Sequence, residues 1–228
     1  INLYLQGPSG ELEEKQVFPS LIDTRAVAIG DLDNDRKNEV VILSTQEKTI
    51  GVITMTAENR LLFPKPLFPL DLAPTALVLA DVNRDNKTEV IYSGHDEKME
   101  KGSIFIMFLD QKNIWSAGQK IELNSKQGIV VEQIKVGDVN NDQMPDLVVF
   151  FEINSPVIFI QQKDGKFLDA AAENQALKGL LNKLSPENIT FGDLPDQAVV
   201  SRSTTNALLI CRHNFARSFA WQPGNQLE

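Results

Sequence analysis

Three nine-residue stretches place oxygen-bearing side chains at positions 1, 3, 5 and 9. In "DLDNDRKNE" these are Asp31, Asp33, Asp35 and Glu39; in "DVNRDNKTE" they are Asp81, Asn83, Asp85 and Glu89; in "DVNNDQMPD" they are Asp138, Asn140, Asp142 and Asp146. A hard cation such as calcium takes about six to eight oxygens at once, and a tight turn can converge alternate side chains on one point. The carbonyls at position 7, from Lys37, Lys87 and Met144, would supply a further oxygen each. Calcium in up to three sites is therefore the expected cofactor. The competing reading leaves the same acids as hydrogen-bond acceptors for turn amides, with no metal.

The elements around these loops follow from the repeat. The first Asp falls at 31, 81, 138 and 193, giving spacings of 50, 57 and 55. The fourth copy, "FGDLPDQAVVSRS", is shortened and keeps only Asp193 and Asp196, so it is not expected to bind. A short apolar stretch precedes each loop ("AVAIG", "ALVLA", "QIKVG", "NITFG") and a β-rich run follows it ("VVIL", "VIYS", "LVVFF", "AVVS"). Apolar runs of four or five residues read as strands buried on both faces. Alternating segments with turns come next, such as "PVIFIQQKDGKFLD", where Asp164-Gly165 signals a hairpin. A calcium loop between two helices would need an acid at position 12. Ile42, Tyr92 and Val149 stand there, and the flanks read as strands, so that reading fails.

Each unit therefore holds about four short strands, the kind of antiparallel sheet that stacks radially. The expected fold is all-β: a β-propeller, or a segment of one, of about four four-stranded antiparallel blades over a single domain, residues 1–228. "INLYLQGPSGELEEKQVF" fits the third-strand, turn, fourth-strand part of a unit, and the last unit reads only as far as its third strand. The pattern thus opens in mid-unit, as a segment of a longer propeller would. One segment departs from it. Leu177, Leu180, Leu181 and Leu184 follow the spacing of a helix face before Ser185-Pro186, which predicts one short inserted helix whose apolar stripe caps an exposed edge.

A net charge of -9 and a pI near 4.8 argue against nucleic acid and anionic membrane surfaces. No apolar run is long enough to span a bilayer, and the start lacks the pattern of a signal peptide. The single cysteine, Cys211, forms no intramolecular disulfide, and His95 and His213 read as surface or capping residues.

Taken together, "DLDNDRKNEVVI", "DVNRDNKTEVIY" and "DVNNDQMPDLVV" resemble the calcium loops of FG-GAP (VCBS-type) repeats, which build the integrin alpha-subunit propeller and many secreted or cell-surface bacterial proteins. "AIGDL", "VGDVN" and "TFGDL" match the stretch that names the repeat. The resemblance covers essentially the whole chain. It implies calcium held within individual blades, a role in adhesion or ligand recognition, and an extracellular, cell-surface or periplasmic location. The family's loop usually has Gly at position 6, where the backbone is left-handed; Arg36, Asn86 and Gln143 stand there instead.

The function expected from these residues is a calcium-stabilised binding or scaffold module for a protein or glycan ligand, with no catalysis of its own. No nucleophile elbow, zinc-protease helix or phosphate loop occurs. The alternative is a propeller domain of a polysaccharide lyase or hydrolase. Its candidate residues are His95, Asp96, Glu97 and Lys98, whose loop reads equally as a solvated hairpin.

Overall fold

The computed structural model describes residues 1–228 except 97–100, 111, 124–129, 153, 173, 184–196, 202–206, 213–214, 223–225 and 228. Four four-stranded antiparallel sheets follow one another along the chain, each with its strands in sequence order. A two-stranded hairpin, β1 (Asn2–Leu3) with β2 (Gln16–Val17), precedes them. Sheet I contains β3 (Thr24–Gly30), β4 (Glu39–Ser44), β5 (Thr49–Ile53) and β6 (Lys65–Pro66). Sheet II contains β7 (Ala73–Ala80), β8 (Glu89–Asp96), β9 (Lys101–Leu109) and β10 (Trp115–Leu123). Sheet III contains β11 (Val131–Gly137), β12 (Asp146–Phe151), β13 (Val157–Gln161) and β14 (Phe167–Asp169). Among the described residues one helix, α1 (Gln175–Asn182), precedes sheet IV: β15 (Gln197–Ser201), β16 (Ala207–Arg212), β17 (Phe215–Gln222) and β18 (Gln226–Leu227). The described residues are thus all-β with one short helix.

The second strands of sheets I, II and III are buried on both faces because each of these sheets is covered twice. Val41, Leu43 and Ile50 of sheet I meet Val90, Tyr92 and Met107 of sheet II. On the other side of sheet II, Ile91, Ile104 and Ile106 meet Leu147, Val149 and Phe151 of sheet III. Alternate residues of one short strand therefore serve two different interfaces, so "EVIY" and "DLVVFF" carry no polar face. Each fully buried Ile or Leu contributes about 1.5–3 kcal/mol relative to an exposed one. The hairpin lays Ile1, Leu3 and Phe18 against Ile42 and Ile53 on the outer face of sheet I. Helix α1 does the same for sheet III: Leu177 and Leu181 are buried against Val148, Phe150 and Ile158. Asn174 caps the helix by accepting from the Leu177 amide at 3.0 Å. The predicted apolar stripe is present and packs on a face of sheet III, while Leu184, Ser185 and Pro186 lie outside the described residues.

Sheet IV differs from the sequence reading by one strand. The run "AVVS" forms β15, and beyond β17 the short β18 adds an outer partner, Trp221 opposite Leu227. "NITFG" lies outside the described residues. Side-chain bonds tie neighbouring sheets directly: the Thr45 hydroxyl donates to the Pro74 carbonyl at 2.6 Å, and Gln161 Nε2 donates to the Val82 carbonyl at 2.8 Å.

The strands β3, β7 and β11 flank a common cavity of about 420 Å³. Each carries a bulge at the same place in the repeat, with Arg25, Thr75 and Glu132 as the unpaired residues. An extra residue bends a strand and increases its twist, which lets three first strands run side by side without their sheets colliding. Among the described residues, no helix is long and apolar enough to cross a membrane.

Candidate metal centres

Each acidic loop joins the first strand of its sheet to the second: β3 to β4, β7 to β8 and β11 to β12. The ladder closes on both sides of the loop, with Gly30 opposite Glu39, Ala80 opposite Glu89 and Gly137 opposite Asp146. That register sets the acid at position 9 directly beside the loop's entry.

The loop backbone is left-handed twice. Positions 4 and 6 have positive φ in all three copies: Asn34 at 64° and Arg36 at 68°, Arg84 at 61° and Asn86 at 65°, Asn141 at 64° and Gln143 at 68°. The expected left-handed position 6 is thus present without glycine, at a cost of roughly 1–2 kcal/mol for Arg36 and Gln143. The alternation of hand turns successive amides toward the acids. Asp31 accepts from the amides of Asp35 (3.1 Å) and Arg36 (2.8 Å), and Asp35 accepts from Lys37 (2.8 Å). Asp81 accepts from Asp85 and Asn86, and Asp85 from Lys87; Asp138 accepts from Asp142 and Gln143, and Asp142 from Met144. At position 3, Asp33, Asn83 and Asn140 each accept from the amide two residues on. The acids are therefore turn acceptors in every copy, and a metal role would be added to that one.

The position-9 acid, buried at Glu89 and Asp146 and half-buried at Glu39, answers to position 2. Leu32, Val82 and Val139 plug the core, and their amides donate to Glu39 (3.0 Å), Glu89 (2.8 Å) and Asp146 (2.8 Å). This apolar residue at position 2 was legible in all three copies, yet a search for oxygen ligands passes over it. Burial pushes the Glu89 carboxyl up to about 7; the Val82 amide opposes this and the nearby Asp85 and Asp81 charges add to it. Asp146 is raised to about 6 by burial, against the pull of the Gln161 and Val139 amides. Glu39 is raised as well, first by burial, with Asp33, Asp35 and Asp31 adding repulsion.

Among the described residues, two groups of three carboxylates each bring one oxygen within 4.8 Å of the others: Asp31, Asp33 and Glu39, and Asp81, Asp85 and Glu89. The donor set is all oxygen, which suits a hard cation. Asn83 Nδ2 donates to Asp85 (3.2 Å) and Glu89 (3.4 Å), and a half-turn of its amide would present an oxygen to the same point. The third loop is built differently. Asp146 is one methylene shorter than Glu39 or Glu89, and its two oxygens accept from Val139 and from the Gln161 amide at 2.9 Å. Asp138, Asp142 and Asp146 do not gather as the other two sets do.

The second and third loops are also joined to each other. The Arg84 guanidinium donates to the Gln143 carbonyl, and Gln161, whose amide holds Asp146, reaches the Val82 carbonyl. Between them, Arg84, Met144, Phe108 and Lys166 border a cavity of about 700 Å³. Of the residues considered for catalysis, His95 and Asp96 lie in β8 opposite Gly102 and Lys101, while Glu97, Lys98 and His213 lie outside the described residues, as do Asp193 and Asp196. No family model matches the chain, and no curated protein matches its sequence significantly.

Proposed function

We propose that this chain is a calcium-stabilised binding or scaffold module of the FG-GAP (VCBS-type) kind, with its sheets arranged as the blades of a β-propeller. The observation that carries the reading is the convergence of two carboxylate trios within 4.8 Å in the same loop of two successive repeats, from positions 1, 3 and 9 in the first and 1, 5 and 9 in the second. Such a trio is self-repelling, and a divalent cation offsets that repulsion. The propeller arrangement is supported by three first strands sharing one cavity and by successive sheets covering each other face to face. Asp31, Asp33, Asp35 and Glu39, with the Lys37 carbonyl, would hold one ion. Asp81, Asn83, Asp85 and Glu89, with the Lys87 carbonyl, would hold a second. Asp138, Asn140, Asp142 and Asp146, with the Met144 carbonyl, would hold a third and weaker one. Such an ion would pin two strands of one sheet and carry no reaction step.

An extracellular, cell-surface or periplasmic location rests on the same resemblance. The ligand would be a protein or a glycan recognised at the loop rim. The test is thermal unfolding in excess calcium and in chelator. Calcium at about a hundred times its Kd adds about 2.7 kcal/mol per site, which raises Tm by about 5–10 °C in a chain of this size. An unchanged Tm overturns the metal reading. A glycan and protein screen run in both conditions then identifies the ligand class.

A further inference from the structure

We propose that the cleft between sheets II and III, beside the second acidic loop, binds an acidic oligosaccharide. It is the cavity of about 700 Å³ bordered by Arg84, a size within the range of small-ligand sites. Its cations depart from the repeat. Arg84 stands at loop position 4, where the other two loops carry Asn34 and Asn141. Lys163 belongs to the turn between β13 and β14, closed by the Gln162 amide donating to the Lys166 carbonyl at 2.7 Å. The matching turn of sheet I, closed by Thr56 and Arg60, carries Ala57 in that place. A residue repeated in every unit is explained by how the unit is built; these two are not repeated.

The charges single out an anion. Lys166 pairs with Asp164 at 3.0 Å, which leaves Arg84 and Lys163 as cations without a carboxylate partner among the described residues. Arg84 spends one N–H on the Gln143 carbonyl and has others to offer. In a chain of net charge -9, two such cations beside one cleft reverse the local field. Ile106, Phe108 and Phe167 make the apolar wall. A bulge in β10 at Gly118, absent from β6 and β14, makes room for the Phe108 ring, which an added Cβ at Gly118 would overlap. The same bulge interrupts the row of amides and carbonyls along β10, the outer strand of sheet II, so a peptide strand fits there poorly. Gln119 and Gln162 border the cleft, and Gln162 Nε2 donates to the Ile160 carbonyl at 3.2 Å, leaving its oxygen for a hydroxyl. A sugar ring offers apolar C–H faces and hydroxyls to these groups together, and its carboxylate or sulfate to Arg84 and Lys163. On the binding-module reading above, this cleft is where the glycan sits, and none of the groups named is a candidate cation ligand.

The experiment prints neutral, carboxylated and sulfated oligosaccharides, with aspartate-rich peptides, on one array and probes it with the dye-labelled full chain, in calcium and again in chelator. Retention by acidic oligosaccharides is expected, and the carboxylated and sulfated spots tell the two anions apart. In anisotropy titrations of the best-retained sugar, Lys163→Gln and Arg84→Gln should each weaken binding about ten-fold. Raising salt to about 0.5 M should weaken it in the parent. Gly118→Ala should weaken it by displacing Phe108. Lys163 is exposed, so its variant should keep the parent Tm; Lys178→Gln, exposed on α1, should leave both Tm and binding unchanged. Absence of any retained acidic sugar, equal retention of neutral sugars, or binding indifferent to both cation variants overturns the proposal. Preference for the aspartate-rich peptides also overturns it and assigns the cleft to a protein. Sugar binding with a Tm indifferent to calcium overturns the metal reading alone; a Tm raised by calcium with no sugar retained overturns the glycan site alone.

Discussion

Glu89 shows how one residue can serve the turn and still leave the loop short of stability. Its carboxyl is 1% exposed, is held by the Val82 amide, and faces Asp81 and Asp85. Its folded pKa is raised from 4.5 to about 7, and that of Asp146 from 3.8 to about 6. A carboxyl that binds its proton more tightly when folded favours the native state at low pH and loses that advantage as pH rises through the folded value. In chelator, stability should therefore fall from about pH 4 to about pH 7, as read by calorimetric Tm. On the proposed reading calcium would replace the proton and flatten that decline, with protons released on binding below pH 7. Glu89→Gln should flatten the decline in chelator and also remove the calcium response of its loop. A Tm that rises with pH over this window in chelator would refute the assignment. The same residue explains why position 2 matters: Leu32, Val82 and Val139 each bury a side chain and spend their amide on the position-9 acid.

Helix α1 is the element that breaks the repeat, and its eight residues are too few to be stable alone in water. Packing holds it: Leu177 and Leu181 lie one turn apart and both enter the cluster around Val148, Phe150 and Ile158. Leu181→Ala should cost about 2–4 kcal/mol in urea unfolding, through lost burial and the cavity left behind. The exposed Lys178→Ala should change little, about 0.5 kcal/mol or less. Equal effects from the two would show that the helix does not seal sheet III. Its amphipathic spacing was plain in the sequence; the face it covers was not, because the helix stripe states only that some apolar surface must receive it. The recurring bulges at Arg25, Thr75 and Glu132 were not legible either, since a bulge leaves the apolar pattern of a short strand almost unchanged.

At the scale of the molecule, stability rests on nearest neighbours. Sheet II is gripped on one face by sheet I and on the other by sheet III, and the Thr45–Pro74 and Gln161–Val82 bonds cross those two junctions. Ile91→Ala, which opens a cavity between sheets II and III, should lower stability by about 2–5 kcal/mol. Circular dichroism and tryptophan fluorescence should still follow one coincident transition, because a stacked sheet that loses a neighbour exposes its own core. Two separated transitions would instead mark sheets that unfold independently. Filling three divalent sites would take the net charge from -9 to about -3, so calcium should relieve repulsion across the whole chain as well as within each loop.

By itself the sequence determined the unit. Acids at positions 1, 3, 5 and 9, flanked by short apolar runs, recur because every loop must satisfy its own amides and every second strand must be apolar on both sides. Those are local demands, and local demands leave a periodic mark. Tertiary structure decided which carboxylates gather. The Asp31 and Asp81 loops form trios while the Asp138 loop does not, because Asp146 is a methylene shorter and the Gln161 amide, fifteen residues away, holds one of its oxygens. It also decided that Arg84 and Lys166, from different units, border one cavity. A repeat records the demands of its own unit, and only packing across the interface sets which side chains meet.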